Sequence, residues 1–208
     1  MGDLAEMSSR KTEYRDTHFL NADSPEETAR ALIGILEGSG FRPIAESPAR
    51  EDTADLHPGS IRSRLECAPL VFAGGRGLHT MENLQKLTRL AALYGAEYAV
   101  SRPLALEGFA PEERMIGVSG AAVRPKLLFA AGISGSIQFM GGVKNSNHVI
   151  VVNNNHNAQI FRYAKEAVLA DAGTLLDAML EILEGSIPAS SQITGQNSPD
   201  ESPDKSRR

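Results

Sequence analysis

Cysteine is almost absent from this sequence: Cys67 stands alone among 208 residues. An internal disulfide and any Cys-x-x-Cys metal or redox motif are thereby excluded. Cys67 is expected as a small packed residue at the start of a strand rather than as a nucleophile. Long hydrophobic runs are missing too, so no segment reads as a membrane span. The N-terminus mixes charges and lacks the apolar stretch of a secretory signal, and its acidic residues argue against a transit peptide. Basic clusters do not occur and the formal charge is −5, which makes nucleic acid a poor partner. The five histidines show no metal-ligand spacing, and His79 and His156 read as exposed loop residues. No Ser/His/Asp set or carboxylate pair emerges from the order of residues, so no catalytic residue is assigned. The expectation is a soluble cytoplasmic protein with no membrane insertion.

What is present is a chain 41% hydrophobic, enough to pack one domain of ordinary size with appendages. Residues 1–66 read as an N-terminal extension, within which residues 1–23 are polar, aperiodic and expected to be disordered. Ser24-Pro25-Glu26-Glu27 then combines a capping serine, a proline at the first helical position and a glutamate three residues after the cap. A helix over about residues 25–37 follows, with Ala29, Leu32, Ile33 and Leu36 on one face and Gly38 and Gly40 at its end. From Glu46 to Gly59 the composition is that of a linker. One helix cannot build a core, so it must dock on the main domain or on a partner. Residues 186–208 carry only scattered apolar side chains and read as a disordered tail.

The main domain is expected over residues 67–185. Apolar runs at Pro69–Ala73, Glu97–Val100, Leu127–Ala131, Val149–Val152 and Ala167–Ala170 read as strands. Between them, Met81, Leu84, Leu87, Leu90 and Tyr94 recur at helical spacing, and a last helix is expected over about Ala172–Glu184. Strand and helix alternate, so the fold class is α/β with a doubly wound parallel sheet of Rossmann-like type. Ligands in such sheets sit outside the carboxyl ends of the strands. Arg76, Ser101, Arg102, Ser134, Asn153 and Asp171 all fall at such ends.

The most informative stretch is residues 125–142. An apolar strand stops at Gly132, and the small-residue turn Gly132-Ile133-Ser134-Gly135-Ser136 leads into a short helix. First-turn amides without intrahelical acceptors, approached closely over glycine and serine, suit a phosphate or pyrophosphate. A turn that only packs helix on strand is the equally plain alternative. Arg76, between glycines, reads either as a solvated turn residue or as a bidentate guanidinium for a phosphate or flavin edge.

GISGSIQ at Gly132–Gln138, GGRGL at Gly74–Leu78, SRP at Ser101–Pro103 and VNN at Val152–Asn154 occur in one order and spacing. Together they resemble the C-terminal FAD-binding domain of the electron transfer flavoprotein alpha subunit, over roughly Ala68 to Leu183. The resemblance implies a deoxyhypusine-synthase-like FAD/NAD-binding fold and FAD as cofactor. It implies that Arg102 lies over the flavin ring, where fixed positive charge favours reduced, anionic flavin. Ile116, Gly117, Val118 and Ser119 correspond to the segment whose hydroxyl bonds the flavin N5; Ser119 keeps that hydroxyl, whereas Val118 and Ala121 replace an amide and a lysine. Ser134, Gly135, Ser136, Ile137 and Gln138 correspond to the pyrophosphate turn, and Phe139 stands where the family has a histidine. Phenylalanine donates no hydrogen bond, which weakens stabilisation of charge at the pyrimidine end of the ring. Asn153, Asp171 and Ala172 correspond to residues around the adenosine half; Asp171 also reads as an N-cap for the last helix.

The family's N-terminal domain is expected to be missing, since only about 65 residues precede the first expected strand. The resemblance implies an electron-carrier subunit paired with a beta-type subunit, fed by flavin dehydrogenases and passing electrons to an acceptor. The alternative is a redox-inactive nucleotide- or FAD-binding assembly module, or a degenerate fragment that kept the fold.

Overall fold

The computed structural model describes residues 16–20, 23–44 and 58–186. The expected tail from residue 187 on and most of the expected linker lie outside the described residues. A seven-stranded sheet forms the centre, in the order β1-β7-β6-β5-β2-β3-β4, with every pair parallel. The strands are β1 (His18–Phe19), β2 (Leu70–Gly74), β3 (Glu97–Ser101), β4 (Met115–Ile116), β5 (Leu127–Ala131), β6 (His148–Val152) and β7 (Glu166–Val168). The helices are α1 (Pro25–Gly38), α2 (Pro58–Cys67), α3 (Met81–Leu93), α4 (Arg102–Leu106), α5 (Ile137–Val143) and α6 (Ala172–Gly185). The sheet is Rossmann-like and doubly wound.

Alternation along the central strands divides the core into two layers. Phe72, Phe129, Ile150 and Val152 face α1, α3 and α6, where they meet Leu32, Leu87, Leu176 and Met179. Val71, Ala73, Leu128, Ala130 and Val151 face the other way, toward Leu65 of α2, Phe139 and Val143 of α5, and Phe161. Phe72 and Phe129 pack with ring centroids 5.1 Å apart at the middle of the first layer.

α1 starts as its sequence dictates. Ser24 Oγ accepts the Glu27 amide at 3.2 Å, and Glu27 Oε2 accepts the Asp23 amide at 3.1 Å, a reciprocal capping box. The helix docks in cis: Ala29, Leu32 and Leu36 are fully buried in the layer that also holds α6. Each such leucine contributes about 1.5–3 kcal/mol.

Four elements differ from the sequence expectation. β1 lies within a stretch expected to be disordered; its edge position rests on pairing with β7, and Thr17 Oγ1 donates to the carbonyls of Phe161 and Ala164. α2 begins at Pro58, inside the expected linker, because Ile61 and Leu65 find a core to cover. Cys67 ends that helix and is exposed, which corrects the expectation of a packed strand residue. β4 and α4 occupy the stretch between β3 and Gly120, where no strand or helix was expected.

α3 and α6 are joined by Lys86, whose Nζ donates to Asp177 Oδ2 at 2.9 Å and pairs with Glu82 Oε1 at 3.1 Å. The Asp177 hydrogen bond holds the Lys86 ammonium above the usual lysine range. A raised folded-state value means the contribution is complete below the ordinary lysine pKa and is lost as pH rises through the raised one. Asp177→Asn is therefore expected to cost at most about 1 kcal/mol near neutrality and to flatten the alkaline limb of a urea-denaturation pH profile. An unchanged alkaline limb would count against the pair.

Candidate functional site

The chain runs from β2 outward through β3 and β4 to one edge, then returns to β5 and runs through β6 and β7 to the other side. β2 and β5 are neighbours, in register from Leu70↔Leu127 to Gly74↔Ala131. The winding reverses between them, and a crevice opens at their carboxyl ends.

Backbone contact between two turns forms its floor. The Gly75 amide donates to Ala131 O at 2.9 Å, and the Gly77 amide to Gly132 O at 2.9 Å. Gly132 has φ +66°, and a Cβ there would stand 2.6 Å from the Gly77 carbonyl carbon. A side chain on Gly75 would run into Gly132 and Ile133. Both turns are glycine-rich because each fills the other's side-chain space.

Above this floor lies a cleft of about 600 Å³, within the range of small-molecule sites. Of the residues expected from the sequence, Arg76, Ser101, Arg102, Ile116, Gly117, Val118, Ser119, Ser134, Ser136, Gln138, Phe139 and Asn153 line it. Arg76 starts a 3-10 turn after β2, and Arg102 opens α4 directly after β3. Both guanidiniums are exposed, and neither pairs with a described carboxylate. Among the described residues no aspartate or glutamate lines the cleft, although the whole chain carries −5.

Four expected residues stand elsewhere. Gly135 lies between two lining serines but packs its backbone on Ile160, where a Cβ would come 2.7 Å from Cα. Ile137 projects into solvent, 81% exposed, at the first position of α5. Asp171 caps α6, its Oδ1 accepting the Thr174 amide at 2.9 Å and the Thr174 hydroxyl at 3.1 Å. It borders a separate cavity of about 280 Å³ shared with Leu20, Ser24 and Thr28. Ala172 is buried in the first core layer.

Asn153 lines the cleft, yet both ends of its amide are engaged: Nδ2 donates to Ile133 O at 2.7 Å, and Oδ1 accepts the Asn155 amide at 2.9 Å. It ties the β6 turn to the β5 turn. Phe139, 4% exposed, belongs to the second core layer while its edge reaches the wall. Gly77, His79, Pro103, Gly132, Ile133, Asn154 and Asn155, which were not among the candidate cofactor-binding residues although most stand in the quoted motifs, also line the cleft. For Asn154 and Asn155 the signal was the asparagine run after β6, which folds into successive Asx turns. His79 carried no signal.

The site is a switch-point crevice lined by two exposed arginines and a small-residue turn, the place where ligands sit in doubly wound sheets. Residues 64–144 match the family model of the electron transfer flavoprotein FAD-binding domain. That segment is similar to such a domain, and FAD is the cofactor the match supports. A protein FixB of Azorhizobium caulinodans is 44% identical over 122 residues, 59% of this chain and 33% of that protein. A protein FixB of Bradyrhizobium diazoefficiens is 47% identical over 117 residues, 56% of this chain and 32% of that protein. The mitochondrial electron transfer flavoprotein subunit alpha of Oryza sativa subsp. japonica is 33% identical over 178 residues, 85% of this chain and 48% of that protein. The chain thus spans between a third and about half of the length of these relatives.

The donor set fits FAD. Among the described residues no acceptor is found for the amides of Ser134, Gly135, Ser136, Ile137 and Gln138. The Ser134 and Ser136 hydroxyls and two unpaired arginines share the same opening. Among the described residues no carboxylate lines the opening to repel a diphosphate, and Ile116, Val118, Ile133 and Phe139 offer apolar surface for a flat ring. Among the described residues no His/Cys/Asp/Glu group suits a metal, and no helix is long and apolar enough to cross a membrane.

Proposed function

We propose that this chain is an FAD-binding electron-carrier subunit acting in the cytoplasm, similar in role to the electron transfer flavoprotein alpha subunit. The observation that carries the reading is the cleft at the switch point, which among the described residues is lined by no carboxylate and by Arg76 and Arg102 without a carboxylate partner, both inside the matched segment. FAD, when bound, supplies reversible uptake of electrons. In this reading Ser134, Ser136 and the free amides around them hold the diphosphate, and Arg76 steadies it. Arg102 supplies fixed positive charge beside the ring, and the Ser119 hydroxyl donates to it. Ile116 and Phe139 keep water from the buried side. A beta-type subunit would close the mouth, where Val118 is 73% and Ile137 is 81% exposed. A flavin dehydrogenase would feed the flavin and a downstream acceptor would drain it.

The test is direct. Purified protein, alone and with a beta-type partner, should take up FAD and show oxidised-flavin absorbance. Arg102→Ala should weaken FAD about tenfold or more, with Arg102→Lys recovering only part of the loss. Colourless protein that takes up no added FAD rejects the reading.

The burial of Phe139, with its ring in the core and no donor to offer, favours a second reading: a module that binds FAD or an adenine nucleotide for assembly alone. Photoreduction separates the two. A bound flavin that cannot be cycled selects the assembly module.

A further inference from the structure

His79 is the one non-glycine residue with positive φ among the described residues. Its φ is 63° and its ψ −36°, and the Leu78 carbonyl accepts the Thr80 amide at 2.7 Å across it. That is a three-residue γ-turn of the form with positive φ, which is rare and strained. Glycine would adopt this backbone at no steric cost. The surroundings over-determine the turn. Asn83 Nδ2 donates to Leu78 O at 2.8 Å, Thr80 Oγ1 accepts the Asn83 amide at 3.2 Å, and the Gly77 amide is held by Gly132. Packing does not account for the side chain, which is exposed and lines the cleft.

We propose that His79 is a phosphate-oxygen donor of the cleft, held beside Arg76 by the strained turn, so that the diphosphate of the ligand meets a titratable third cation. The inference rests on the FAD reading and adds to it a contact that no motif marks. The charged groups on the elements around His79 are Arg76 on its own turn, Arg102 on α4, Glu82 and Lys86 on α3, and Asp171 and Asp177 on α6. Lys86 engages Glu82 and Asp177, and Asp171 caps α6. Only the arginines share the cleft with the imidazole. A phosphate oxygen placed between them favours the imidazolium, so binding takes up a proton in the range where histidine titrates.

The experiment titrates FAD into the full chain near pH 6 and near pH 8.5 by calorimetry, for the wild type, His79→Gly and His79→Lys, with a melting curve for each. Wild type is expected to bind roughly tenfold tighter at the lower pH, the size of one charge-assisted hydrogen bond. His79→Gly should lose that slope, match wild type at the higher pH and melt no lower. His79→Lys should hold the acid-range affinity at both. A His79→Gly protein that keeps the slope, or that melts below wild type, overturns the proposal while leaving FAD binding intact. Wild type that takes up no FAD at either pH overturns the functional reading and this contact together.

Discussion

Gly132→Ala is expected to abolish measurable FAD uptake and to destabilise the fold by about 3 kcal/mol or more. Two costs add. Alanine at φ +66° enters a region that costs an L residue about 1–2 kcal/mol. Its Cβ would also stand 2.6 Å from the Gly77 carbonyl carbon and 2.7 Å from the Leu78 amide nitrogen. Those are backbone atoms, and no rotamer change relieves them. Relief comes only by parting the β2 and β5 turns, which breaks the bond from the Gly77 amide to Gly132 O and moves Arg76 away from Ser134. Gly34→Ala is the control, since nothing lies within 4 Å of its Cβ on α1 and the change should stabilise by about 0.5–1 kcal/mol. Urea denaturation and FAD titration on both variants decide it. A Gly132→Ala protein as stable and as receptive as wild type would show that the two turns do not shape the site.

The same contact explains why this part of the chain was legible beforehand. An apolar run ending at glycine has few alternatives, and β2 and β5 announce themselves so; β6 is an apolar run that stops at Asn153. α1, α3 and α6 carry caps and a buried stripe within one stretch of sequence, so local pattern and tertiary packing agree. β1 and β4 are two residues each, too short for a period, and exist only because a neighbouring strand offers its edge. α2 buries only Ile61 and Leu65 among its described side chains, and its arginines, serines and glutamate resemble a linker until partners are placed. The site divides in the same way. Strand-end position marked Arg76, Arg102, Ser134 and Asn153, because a parallel sheet puts all such ends on one side. Asp171 also sits at a strand end, but β7 lies next to the edge strand, away from the switch point, and the carboxylate serves the helix. His79 stayed hidden because a positive φ is a backbone state that sequence pattern assigns to glycine, not to histidine.

A buried charge network beside the cleft carries the second large effect. Glu97, at the start of β3, bonds Arg114 through Oε2 and Arg64 of α2 through Oε1, the latter at 3.2 Å. Arg114 is 2% exposed, donates to Tyr98 O at 3.1 Å and lies over the Tyr98 ring at 4.2 Å. One carboxylate thus joins α2, β3 and the turn Glu112–Arg114 that feeds β4. β4 leads straight into Gly117, Val118 and Ser119, which line the cleft and are tied to α5 by the bond from the Val118 amide to Gln138 O. Glu97→Ala removes the carboxylate from a desolvated guanidinium and is expected to cost about 3–5 kcal/mol, more than a surface pair could. Arg114→Met should cost less, because it removes the buried charge, and the double variant should regain part of the loss. A denaturation double-mutant cycle reads the coupling, and FAD titration reads the wall. Glu97→Ala should weaken FAD even where the protein remains folded, since the β4 wall loses its anchor. Additive losses across the cycle, or unchanged FAD affinity in folded Glu97→Ala, would mean that the network neither stabilises the fold nor holds that wall in place.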